Sequence, residues 1–91
     1  MANHKDAAKR ARQAIVRRER NRHYRTMMRN RIKAVRSAVA GGDLATAQSS
    51  FNEAMSAIHR IARKGIIHRN QAARRISRLN KLVKKLALSK A

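Results

Sequence analysis

At 91 residues the chain has room for one small domain with limited surface to bury. Twenty-four Lys and Arg stand against four Asp and Glu, a formal net charge of +20 that opposes compaction and favours a polyanionic partner. The absence of Cys excludes a disulfide framework and a Cys-ligated metal site, and no apolar run forms a membrane span or a signal-peptide core. The chain reads as intracellular. Its Arg-rich, acid-poor start is also the mark of an organellar transit peptide, but the basic character continues along the chain and returns near the C-terminus.

Taken in order, residues 1 to 4 form a short tail in which Asn3 can cap a following helix, with Asp6 placing negative charge in the first turn. Residues 5 to about 40 contain neither Gly nor Pro and are rich in Ala, Arg, Lys and Met, which predicts one helix ~54 Å long. This stretch carries thirteen of the basic residues, opposed only by Asp6 and Glu19. Its halves differ. Tyr24, Met28, Ile32, Val35 and Val39 step by four and three along one face, whereas 17 to 23 contains no apolar residue. The first half thus has almost nothing to bury and is expected to be marginal as a helix in the absence of a partner.

Gly41-Gly42 ends the first helix and Asp43 caps the second, expected over about 43–64. Leu44, Ala47, Phe51, Ala54, Ile58 and Ile61 step three, four, three, four, three, with Met55 and Ala62 beside them. No Lys or Arg falls between Arg36 and Arg60, so this helix reads as scaffold. Lys64-Gly65 closes it, Ile66 and Ile67 begin the connection, and His68 or Asn70 can cap a third helix over about 68–87. Capping is the favoured role for Asn70. Ala72, Ile76, Leu79, Val83 and Leu86 form its apolar stripe, widened by Leu82, and Arg74, Arg78, Lys81 and Lys85 repeat on another face. Leu88 to Ala91 are expected to fray. The fold class is all-α: a three-helix antiparallel bundle with a long basic N-terminal helix extending beyond the core.

The chemistry left open by these residues is non-catalytic. Arg18, Arg22, Arg25, Arg29 and Arg36 occupy a narrow sector of the first helix, and Arg engages phosphate with paired hydrogen bonds. A run of charge is ordinarily a solvated face, but here acids are too few to balance it, so phosphate binding is the better reading. His4, His23, His59 and His68 show no metal-ligand spacing, and neither paired carboxylates nor a Gly-rich phosphate loop is present. No metal, cofactor or small-molecule substrate is expected. Tyr24 lies on the apolar stripe, so packing competes with base stacking, and Met27-Met28 reads as core. A membrane-active reading is weak, because the first helix lacks a broad apolar face with aromatics. Residues alone leave a DNA-compacting protein as the alternative to an RNA-binding one.

The segments MANHK, RRERNRHYR, KGIIHRNQAARR and SRL, in that order and with the paired Gly at the first turn, resemble the bacterial small-subunit ribosomal protein S20 family over essentially the whole chain. Asp6, His59 and Ile76 depart from the Ser, Asp and Lys usual there, so no carboxylate at 59 pairs with Arg60 or Arg63. The resemblance implies one ribosomal RNA-binding domain over 1–91, working in the cytoplasm as a structural part of the small subunit. Its partners are small-subunit ribosomal RNA and, secondarily, other subunit components. On this sequence the implied RNA contacts are Lys5, Lys9, Arg10, Arg12, Arg17, Arg18, Asn21, Arg22, His23, Arg25 and Arg29 in the first helix. In the third they are His68, Arg69, Asn70, Arg74, Arg75, Arg78 and Lys81.

Overall fold

The computed structural model describes residues 4–90, and among these it contains three helices and no strand. Helix α1 spans His4–Ala40, α2 Leu44–Arg63 and α3 Arg69–Lys90. Short turns reverse the chain twice, so α2 runs antiparallel to both neighbours, and α1 packs more extensively on α2 than on α3. The expected Asn3 cap lies outside the described residues. Helix α3 continues to Lys90, so Leu88 to Lys90 extend the helix past its expected end near 87, and Ala91 again lies outside the described residues.

Both turns are built by the same device. Gly42 adopts φ +74°, Gly42 N–H donates to the Val39 carbonyl at 3.0 Å, and Asp43 N–H donates to the Ala38 carbonyl at 3.2 Å. Gly65 repeats this at φ +77°, with its N–H on the Ala62 carbonyl and the Ile66 N–H on the Ile61 carbonyl. These are Schellman motifs, which need a residue comfortable in the left-handed region and bring the following residue back onto the helix end. In the second motif that residue is Ile66, and it is buried with Ile61. Ile66 and Ile67 therefore belong to the core rather than simply leading out of it.

Asp43 caps α2, its Oδ1 accepting from the Thr46 N–H at 3.2 Å and its Oδ2 from the Thr46 hydroxyl. Helix α3 is capped by His68, whose Nδ1 accepts from the Asn70 N–H at 3.1 Å. Asn70 is therefore an exposed residue of the first turn and not the cap, because the helix already begins at Arg69.

The core joins Met28, Ile32 and Val35 of α1 to Ala47, Ala54, Ile58 and Ile61 of α2, and to Ala72, Leu79 and Val83 of α3. Val35, Ile58 and Ile61 are the largest side chains buried completely. Phe51 is only partly buried at the edge of this cluster, so aliphatic residues and not the ring carry the packing. Leu82 is 36% exposed and stands outside the α3 stripe that it was expected to widen. Since core-facing residues of α1 begin at Tyr24, the preceding twenty residues project from the bundle. The molecule accordingly measures 68 × 21 × 14 Å, with a radius of gyration of 18.0 Å. A compact chain of this length has a radius of about 12 Å.

Candidate nucleic-acid interface

The projecting part of α1 is exposed at every residue from 4 to 20. With 3.6 residues per turn, Lys5, Lys9, Arg12 and Arg20 fall opposite Arg18 and Arg22, while Arg10 and Arg17 point between them. Cations thus surround the rod instead of lining one side. Ile15 and Val16 stand exposed among them at 53% and 64%, since neither α2 nor α3 covers them.

Where α1 joins the bundle, its basic residues come close to other elements. A groove of about 760 Å³ follows the face lined by Ala14, Arg17, Arg18, Asn21, Arg22, Arg25, Thr26 and Arg29. Asn21 Oδ1 is buried at its floor with no hydrogen-bond donor among the described residues. The Arg25 guanidinium donates to the Ile66 carbonyl at 3.3 Å, tying the projecting helix to the α2–α3 turn. Lys64 of that turn places Nζ 5.1 Å from the centre of the Tyr24 ring, and His23 meets the same ring edge-on at 5.4 Å. Tyr24 is therefore engaged by core, cation and imidazole together, which leaves packing as its role.

Helix α3 supplies two different basic surfaces. Arg74, Arg78, Lys81 and Lys85 are exposed on the face away from Leu79 and Val83, as their spacing requires. Arg75 departs from that seam. It is partly buried, shares a cleft of about 250 Å³ with Arg25, Met28, Arg29, Ile67 and Gln71, and borders a second with Lys33 and Arg36. His68, Arg69 and Asn70 are exposed at the start of α3, on the end of the bundle from which α1 projects. There His68 uses Nδ1 for the cap, which leaves Nε2 as its remaining polar ring atom.

Of the residues anticipated as contacts, Lys5, Lys9, Arg10 and Arg12 lie on the projection, and Arg17, Arg18, Asn21, Arg22, His23, Arg25 and Arg29 follow towards and into the junction. Arg75 is brought against α1, whereas Arg74, Arg78 and Lys81 form a separate outer surface. Lys33, Lys64 and Gln71 were not anticipated. The signal for Arg75 was present, because it sits three after Ala72 and four before Leu79, at the margin of the apolar stripe.

Two carboxylates, Asp6 and Glu19, lie among the cations of the projection, and the other two are on α2 and at its start. Glu53 receives Arg31 Nη1 at 2.8 Å on the α1–α2 side, and Asp43 stands at the far turn. The exposed face of α2 has Gln48, Ser49, Asn52 and Ser56 with no cation until Arg60. Charge is thus concentrated on α1 and α3 and absent from most of α2. No described group of three or more His, Asp or Glu is arranged to hold a metal ion, and no described helix is long and apolar enough to cross a membrane. The arrangement can neutralise phosphates over a long contour.

Comparison with known proteins bears on this surface. The family model described as ribosomal protein S20 matches residues 2–84. The chain is 54% identical over 89 residues to the small ribosomal subunit protein bS20 of Helicobacter pylori, an alignment covering 98% of this chain and 100% of that one. Against the bS20 proteins of Wolinella succinogenes and Helicobacter hepaticus the identities are 49% and 48%, over 96% and 98% of this chain and 96% and 99% of theirs.

Proposed function

The chain belongs to the ribosomal protein S20 family, and from that premise we propose that it binds small-subunit ribosomal RNA directly and holds its folded elements together. The family is one of structural ribosomal proteins and not of enzymes, which agrees with a basic surface that offers binding and no chemistry. The observation that carries the finer reading is the projecting half of α1, with cations spread around it, only Asp6 and Glu19 to oppose them, and no stripe buried against the bundle. A single duplex in solution would meet one side of such a rod. Several converging RNA elements can use all of it, and the Arg and Lys side chains then screen the repulsion between their backbones.

In this reading Lys5 to Arg22 contact phosphates along the projection, Arg25 and Arg29 continue the path onto the bundle, and His68 to Lys81 hold a second RNA surface. Recognition is chiefly of shape, because the deep groove of A-form RNA excludes side chains. The neutral face of α2 is left towards solvent or other subunit components. The place of action is the cytoplasmic ribosome.

Direct binding is tested by titrating labelled small-subunit ribosomal RNA with the full chain at two or more salt concentrations, against random duplex DNA of equal length. Tighter binding to the folded RNA supports the reading. Equal affinity for both would replace it with non-specific duplex compaction.

A further inference from the structure

We propose that the cleft between α1 and α3 is a discrete oxyanion site that takes one phosphate group between Arg25, Arg29 and Arg75. Three arginines from two helices line this one cleft together with the buried residues Met28 and Ile67. Lys33 and Arg36 stand just beyond Arg75 in the adjoining cleft, and no carboxylate lines either space. Glu53 is committed to Arg31, and Asp43 to the cap of α2. Cations that share one cleft repel one another, and more strongly where buried side chains make the surroundings less polarisable than open water.

An oxyanion reverses the sign of that interaction. Each guanidinium has five N–H donors in a planar fork, and Arg25 spends one on the Ile66 carbonyl, which fixes its position without exhausting it. Gln71 adds an amide at the rim. A tetrahedral phosphate suits donors that converge from two helices, and bridging them fastens α3 to α1. Anion binding therefore stabilises the bundle itself. The site deepens the RNA reading and rests on it only for the natural source of the phosphate, which would be one backbone group of the RNA.

The test uses the full chain and inorganic phosphate. Thermal melting is followed in about 0.1 M phosphate and in chloride of equal ionic strength, for the unmodified protein, Arg75→Gln and Lys84→Gln. Lys84 is exposed on α3 away from the cleft, so its variant loses the same charge without touching the site. Phosphate is expected to raise the melting midpoint of the unmodified protein and Lys84→Gln by about 5 °C over chloride, the shift that corresponds at this chain length to a dissociation constant of about 20 mM. Arg75→Gln should lose most of that rise. An equal rise in all three, or none in the unmodified protein, overturns the site. If Arg75→Gln does not fold, the Arg Nε–H resonances of the unmodified protein decide. Saturable phosphate-specific shifts at Arg25, Arg29 and Arg75 support the site, and shifts spread evenly over all Arg overturn it. RNA affinity is measured separately. A phosphate response that depends on Arg75, together with undiminished RNA affinity in Arg75→Gln, keeps the anion site and overturns RNA as its occupant.

Discussion

Replacing Arg17, Arg18 and Arg22 together by Gln removes three cations from one groove of α1 without reaching the core. All three side chains are exposed, and Gln is nearly as good a helix former as Arg. If each neutralises one phosphate, the slope of log affinity against log salt becomes shallower by about 0.7–0.9 per contact, or roughly 2–3 in all. Extrapolated from molar salt to ~0.1 M, the same slope corresponds to a loss of about 100–500-fold in affinity. Melting of the free protein should hold or rise, because neighbouring like charges have been removed. The assay is a filter-binding or fluorescence titration of small-subunit ribosomal RNA over a series of salt concentrations, with circular dichroism to confirm helicity. An unchanged slope with helicity intact would show that this groove faces solvent in the complex and refute the reasoning.

Other expectations follow from the packing and the caps. Ile58→Ala, at a site with no exposure, should cost ~2–5 kcal/mol, and Phe51→Ala should cost less despite the larger side chain, since the ring is only partly buried; denaturant unfolding reads the order. The Thr46 hydroxyl and backbone N–H hold the Asp43 carboxyl below its ordinary value of 3.8, so its contribution is complete above that value and disappears as pH falls through the lower folded-state value. Asp43→Asn should retain the cap and flatten this acid limb of the melting profile, whereas Asp43→Ala should lower the melting temperature at neutral pH as well. Amide exchange in the free protein should be fast from Ala7 to Arg20 and slow from Met28 to Val35, with the first segment protected once RNA is added; strong protection in the free monomer would contradict this.

The periodic elements were legible because each helix of the bundle buries one stripe. Steps of three and four from Tyr24 to Val39, Leu44 to Ile61 and Ala72 to Leu86 leave few alternatives to three packed helices, and Gly41-Gly42 and Lys64-Gly65 mark the reversals. What escaped lies where periodicity stops. Ile66 and Ile67 have no helical register, and their burial follows from the Schellman geometry at Gly65, which folds Ile66 onto Ile61. Phe51 falls on a perfect stripe and still sits at the core's edge, because periodicity gives the face of a helix but not the depth at which a neighbour covers it.

The same limit governs the basic surface. Spacing along α3 separates Arg74, Arg78 and Lys81 from the apolar stripe, but it cannot tell whether Arg75, at the stripe's margin, meets solvent or another helix. That depends on the side from which α1 approaches. Once α1 lies against the Gln71–Arg75 edge, its seam of Arg25, Arg29 and Arg36 faces Arg75 across a cleft without a carboxylate. Two seams read separately from the sequence each look like a solvated basic face. Brought together they form a repulsive contact within the folded bundle, and hydrophobic burial by Met28, Ile32, Val35, Leu79 and Val83 must outweigh it. A chain with four acids could have placed one here, as it placed Glu53 against Arg31 on the opposite side of α1. Leaving this side unpaired lowers the stability of the free bundle and keeps Arg25, Arg29 and Arg75 available to an anion supplied from outside.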